Sequence, residues 1–202
     1  MGIKRKMGVK QTSKKPILIN DLKLIINVIN KDKNEYKKLQ NKALILIGFA
    51  GGFRRSELVS IQYEDIEFVN EGVKILVQRS KTDQTGLGMI KAIPYFQNKI
   101  YCPVISLKDW IDHSKIIDGK IFKISDKTVA LTIQKYALLA GLDKTKYAGH
   151  SLRSGFATST AETGADERSI MAMTGHKTTQ MVRRYIQEAN LFKNNALNKI
   201  KI

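Results

Sequence analysis

Cysteine is almost missing from this sequence of 202 residues. Cys102 stands alone, so no internal disulfide can form, and beside Pro103 with no histidine near it the thiol reads as packing rather than chemistry. Redox and zinc chemistry drop out. Acidic side chains are scarce as well: 18 Asp and Glu face 35 Lys and Arg, a net charge of +17. No apolar run approaches the roughly 18 residues of a membrane-spanning helix, and no signal peptide opens the chain. A cytoplasmic protein without membrane attachment is therefore expected. Internal repeats and low-complexity tracts are absent too.

The basic excess has three readings: a nucleic-acid partner, an anionic membrane surface, or a lysine-rich composition that merely leaves a solvated positive face. Nucleic acid is favoured, because the excess far exceeds what solubility requires. With 43% hydrophobic residues the chain can bury one real core. Residues 1–15, MGIKRKMGVKQTSKK, carry six basic side chains and no acidic one, and read as a flexible arm or linker remnant. From Ile19 to Phe49 apolar residues recur at helical spacing in two segments, broken by NKDKNEYKK, with Leu39, Ala43, Leu46 and Ile47 on one buried face. SELVSIQYEDI predicts a short helix and its exit. VKILVQRS and GMIKAIPY flank the turn-forming KTDQTGLG, which predicts a small antiparallel hairpin or three-stranded sheet. VISLKDWIDH, KTVALTIQKYALLAG, SLRSGFATSTAETG and DERSIMAMTG each show helical periodicity closed by glycine or a polar break. The expected class is mainly α with a small antiparallel β-sheet (α+β).

Four local patterns stand in order: GFRRSEL at 52–58, RSKTDQTG at 79–86, HSLR at 150–153 and TGHKTTQMVRRY at 174–185. Each is bland alone. Arg and Glu three apart commonly form a surface ion pair on a helix, HxxR puts two polar residues on one face, and a tyrosine ending a helix often only packs its ring. As an ordered set they resemble the tyrosine recombinases of the phage-integrase kind, with an Arg, a hairpin Lys, HxxR, a second His and a Tyr nine residues later. The resemblance runs from about Pro16 to Ala196. Phe53 replaces the commoner Leu, and Thr174 stands where an apolar residue often precedes the Gly-His pair.

The resemblance implies the DNA breaking-rejoining enzyme fold of a tyrosine recombinase catalytic domain over residues 16–187. It also implies site-specific recombination for a mobile element, through a 3′-phosphotyrosyl intermediate made by Tyr185 without metal, ATP or other cofactor. Arg54 and Arg153 would stabilise the phosphorane, since guanidinium groups stay charged and offer paired donors to phosphate oxygens. His150 would be the base, Lys81 would protonate the departing 5′-oxygen, His176 would donate a hydrogen bond to the phosphate, and Glu57 would orient its neighbours. Arg55, Arg79, Arg183 and Arg184 are candidates for contacts with the DNA backbone. The implied partner is double-stranded DNA, in a bacterial or phage-derived, nucleoid-associated protein.

Residues 188–202 form a tail in rough helical spacing. In such enzymes it docks on a neighbouring protomer of a tetramer on DNA, and a helix folded back on its own domain is the alternative. The resemblance also implies an amino-terminal core-binding domain, in whose place the sequence has only the basic arm, so a truncated chain or a decayed gene is expected. The carboxylates Glu64, Asp65 and Glu67 could suggest a two-metal nuclease, but adjacent acids at a helix exit are more often solvated. His113 falls outside every pattern and reads as a surface residue. Two alternatives remain: a catalytically silent DNA-binding remnant, since residues 166–186 also outline a helix-turn-helix, and a type IB topoisomerase-like activity.

Overall fold

The computed structural model describes residues 14–78, 88–176, 178–190 and 196–200. The architecture is mainly helical with one small antiparallel sheet, as the periodicities predict. Helices α1 (Ile19–Ile29) and α2 (Glu35–Ala50) open it. The second starts earlier than the polar stretch NKDKNEYKK suggests, because the Asn34 side chain accepts a hydrogen bond from the Lys37 amide at 2.9 Å and Glu35 lies in the first turn. An N-cap of this kind contributes about 1 kcal/mol, enough to draw EYKK into the helix. Every residue of α2 from Ala43 to Ala50 is buried, which makes it the central helix of the core.

Helix α3 (Arg55–Ser60) leads through a 3₁₀ turn into strands β1 (Ile66–Val69), β2 (Gly72–Val77) and β3 (Met89–Pro94), paired antiparallel in the order β1-β2-β3. Ile66 stands opposite Ile75, and Val77 opposite Met89. The acidic cluster at 64–67 is therefore not a helix exit bathed in water throughout. Asp65 is buried; its carboxylate accepts from the Gln62 amide at 3.0 Å and from the Gln78 side chain at 2.7 Å, tying the entry of β1 to the exit of β2. Glu64 and Glu67 are exposed.

Helices α4 (Pro103–Ser114), α5 (Asp126–Leu139), α6 (His150–Glu162), α7 (Glu167–Thr174) and α8 (Thr179–Asn190) complete the fold. Two apolar clusters hold it. The large one gathers Ile25, Leu44, Ile45, Val73, Trp110, Ile133 and their neighbours from α1 to α6 and the sheet; full burial of each such side chain stabilises by roughly 1.5–3 kcal/mol. The small one consists of Ala157 and Ala161 of α6, Ile170 of α7 and Val182 of α8, with Tyr185 and Ile186 packed against it. Cys102 is buried, where its sulfur accepts from the Phe96 amide, and His113 is exposed. Among the described residues no helix is long and apolar enough to cross a membrane.

Candidate active site

A cavity of about 620 Å³ opens where α6, α8 and the loop before α3 meet, lined by Arg54, His150, Arg153, His176, Arg184 and Tyr185. Of the six reacting positions expected from sequence, five thus converge on one space from segments more than a hundred residues apart. Lys81 and Arg79 lie outside the described residues.

Arg54 sits at the N-terminus of α3, fixed by Glu57. The buried Glu57 carboxylate accepts from the Arg54 amide at 2.9 Å with one oxygen and pairs with the guanidinium through the other. A second guanidinium nitrogen of Arg54 donates to the Gly175 carbonyl at 3.4 Å. One turn into α6, Arg153 is 5% exposed and donates to the Gly52 carbonyl at 2.8 Å. That carbonyl is presented by a turn in which Gly52 has φ +54°, a conformation costly for any residue bearing a Cβ. Burial, then the nearby Arg54, lowers the Arg153 pKa to about 10, still charged near neutrality. Two guanidinium groups share this pocket with one buried carboxylate, so an anion entering it meets uncompensated positive charge.

His150 begins α6 at the rim of the cavity. Its ring is pushed toward the neutral form by partial burial and then by Arg55, Arg153 and Arg54. The Arg55 stem lies over Gly149, where a Cβ would come within 1.7 Å of it, so glycine is required for this approach. Arg55 also faces Asp126 at 3.9 Å. His176 is buried; desolvation first, then Arg153, Arg54 and Lys91, depress its pKa to about 4. Its Nδ1 lies 2.7 Å from the Thr174 hydroxyl. The Tyr185 ring on α8 is 6.0 Å from the His176 ring, inclined at 37°. Arg183 points away from this group, to Glu167 of α7 at 3.0 Å.

Lys91 was not foreseen. On β3 it shares the inward face with Ile93 and is fully buried, its ammonium donating to the Gly51 carbonyl at 2.6 Å and the Met173 carbonyl at 2.5 Å above the Phe53 ring. Burial, countered by Glu57 and reinforced by both arginines, lowers its pKa to about 7. It struts the turn carrying Arg54 against the loop carrying His176. Burial alternates strictly along MIKAIP with Lys91 on the buried face, but in sequence Ile90, Ala92 and Pro94 form the wholly apolar face, so the pattern gave no signal for a buried Lys91. Lys14 also reaches the cavity, and Lys14 and Lys15 are hydrogen-bonded to Thr145 and Lys146, so the end of the basic stretch is held against the domain.

Helices α7 and α8 do form the helix-turn-helix outline noted in sequence. Their turn, however, carries His176 to the arginines, an arrangement a DNA-reading module has no use for. Among the described residues no group of three His, Cys, Asp or Glu could hold a metal ion.

The family model described as the phage integrase family matches residues 17–191. The chain is 47% identical over 210 residues to an integrase/recombinase xerD homolog of Selenomonas ruminantium, covering 98% of this chain and 61% of that protein. It is 27% identical over 193 residues to the tyrosine recombinase XerA of Pyrococcus horikoshii, covering 93% and 62% respectively. The chain thus spans about three fifths of these relatives. Among solved structures, the XerH site-specific recombinase bound to palindromic difH substrate in a post-cleavage complex superposes with a TM-score of 0.72 at 18% identity, over 96% of this chain and 59% of that one. The catalytic domain of bacteriophage HP1 integrase gives 0.59 at 16% identity, over 94% and 100%. At these identities the structural likeness concerns the fold.

Proposed function

The chain belongs to the phage integrase family, and on that premise we propose that it cuts and rejoins double-stranded DNA in site-specific recombination through a phosphotyrosine at Tyr185. The single observation that carries the reading is the convergence of Arg54, His150, Arg153, His176 and Tyr185 on one cavity. Attack on a phosphodiester builds negative charge on the non-bridging oxygens, and preorganised cations aimed at that charge supply the largest share of rate. Arg54 and Arg153 are such cations, each already anchored to protein by one edge. Tyr185 attacks, a histidine takes its proton (His150 in the family's pattern), and Lys81 protonates the 5′-oxygen. Glu57 holds Arg54 in place. The phosphotyrosyl link conserves the energy of the broken strand, so no ATP is consumed.

Arg55, Arg79 and Arg184 serve as contacts to the duplex backbone beside the scissile phosphate, and Arg183 joins them at the cost of its pairing with Glu167. Docking of the tail on a neighbouring protomer in a DNA-bound tetramer is supported by the exposure of Leu197 and Ile200, at 68% and 58%.

A nicked suicide duplex that loses its 5′-product tests the proposal. The wild-type chain accumulates a covalent protein–DNA complex stable to denaturant, unaffected by EDTA and absent from Tyr185→Phe. Persistence of the adduct in Tyr185→Phe removes that residue from its role. Retained DNA binding without any adduct from the wild type would favour the silent DNA-binding module.

A further inference from the structure

Thr174 departs from the apolar residue its family pattern leads one to expect, and its hydroxyl does something an apolar residue cannot. The side chain is fully buried. Its oxygen lies 2.6 Å from the Ile170 carbonyl, one turn back in α7, and 2.7 Å from Nδ1 of His176. A hydroxyl has one hydrogen to give. The Ile170 carbonyl can only accept, and two oxygens 2.6 Å apart without a proton between them repel, so the Thr174 hydrogen goes to Ile170. Nδ1 must then be the donor to Thr174, which fixes the proton of neutral His176 on Nδ1. Nε2, on the opposite edge of the ring, is left with a lone pair.

We propose that Thr174 is a positioning residue that locks His176 as the Nδ1–H tautomer, so that Nε2 accepts the hydrogen bond of the Tyr185 phenol and takes its proton during strand cleavage. This rests on the function proposed above and moves the proton-accepting role from His150 to His176. The rings of His176 and Tyr185 already stand 6.0 Å apart, centroid to centroid, on the wall of the same cavity. In the step, the Tyr185 O–H bond breaks and an Nε2–H bond forms while the phenolic oxygen bonds to phosphorus. The P–O5′ bond breaks, and the leaving oxygen takes a proton from Lys81. The imidazolium then has a hydrogen on both nitrogens, one held by Thr174, the other available to a phosphate oxygen; on religation the proton returns to the tyrosine. Donation to phosphate thus follows proton uptake, because the neutral ring has no hydrogen on Nε2 to give.

The charged and titratable groups around His176 are Arg54 and Arg153 on the cavity wall, Lys91 behind, Glu57 against Arg54, and Tyr185, His150 and Arg184 across the space. In the free protein burial first, and then Arg153, Arg54 and Lys91, keep the ring neutral. An incoming phosphodiester offsets the two guanidinium charges and lets the ring hold a proton.

The test uses the full chain with ¹⁵N-labelled histidine, comparing wild type, Thr174→Val and Thr174→Ser. Long-range proton–nitrogen spectra at neutral pH should show His176 with its hydrogen on Nδ1 in the wild type and in Thr174→Ser, and a shift of population toward Nε2–H in Thr174→Val. Covalent complex formation on the suicide duplex should slow by roughly 10- to 100-fold in Thr174→Val, recover in Thr174→Ser, and leave duplex affinity unchanged, as expected when only a histidine's tautomer is lost. A duplex with a bridging 5′-phosphorothiolate, whose leaving group needs no proton, should not restore Thr174→Val. Three results overturn the proposal: an Nε2–H tautomer in the wild type, wild-type rates in Thr174→Val, or rescue by the phosphorothiolate, which would place His176 on the leaving-group side. Failure of the wild type to form any adduct sinks the function itself and the proton transfer with it, while the spectra still decide whether Thr174 holds the ring.

Discussion

The two halves of the cavity wall are built on very different foundations. Arg54 and Arg153 are set by segments that abut α2, whose last eight residues are all buried; Arg153 is tied to the Gly52 carbonyl on that side, while Arg54 reaches across to the Gly175 carbonyl at the end of α7. Tyr185 stands on α8, packed against a cluster of four small or medium residues on α6, α7 and α8. The contrast matches the two tasks proposed for these residues. Charges that stabilise a transition state must be in place before the reaction, since reorganising them then would consume the rate they supply. A nucleophile that attacks, waits as an ester and is released tolerates a looser seat, and regions with few buried apolar contacts open at low free-energy cost.

Disabling the rigid half should have the largest effect. In Arg153→Lys the charge survives, but one ammonium cannot replace a planar guanidinium that bonds Gly52 with one edge and phosphate with the other. Covalent complex formation is expected to fall by about 10²- to 10³-fold, with duplex binding close to wild type. A lysine variant that cleaves at the wild-type rate would mean the site asks only for positive charge.

The next contrast is in stability. Leu44→Ala, in the middle of α2 and fully buried, is expected to lower global stability by about 2–5 kcal/mol in urea unfolding. Ile170→Ala, in the small cluster, should register instead as faster amide exchange confined to α7 and α8, with a smaller change in the global transition. If α2 and α8 amides exchange with equal free energies in the wild type, the two clusters act as one core and the contrast between halves disappears.

Much of this division was legible in sequence. The periodicities located α1 and α4 to α7 because those helices alternate buried and exposed faces, and three of the four ordered motifs named residues that meet in the cavity, the motif at 79–86 lying outside the described residues. The third strand, allowed for by the expectation of a hairpin or three-stranded sheet, was not located because IEFV is short and enters from an acidic stretch; what fixes it is the tight hairpin pairing to β2, Val69 opposite Gly72, together with the Asp65–Gln78 bond. The start of α2 was hidden by polar residues that a single cap recruits. Thr174 stood out as a departure, but its bond to His176 depends on the helix-terminal turn at Gly175 bringing residues two apart in sequence side to side. Motifs mark the candidate reacting residues and one that holds them, Glu57; other positioning residues are spread through the fold and carry no fixed spacing.

Lys91 is of that kind, and it bridges the two halves, bonding Gly51 on one side and Met173 on the other. Its titration reports on that bridge. Burial holds its pKa near 7 in the folded protein, against about 10.4 for an unfolded lysine. Between those values the unfolded chain binds one proton more than the folded chain, so stability rises with pH across the window, and the destabilisation from Lys91 is complete below pH 7. Lys91→Met removes this dependence along with the two bonds. On going from pH 6 to pH 9 the stability of the wild type relative to Lys91→Met should therefore rise by about 2–3 kcal/mol, read from urea unfolding at both values. If the difference between the two proteins stays constant over this range, the two carbonyls keep the ammonium charged throughout, and the strut between the rigid and the yielding half is a permanent ion rather than one that neutralises as the pH rises.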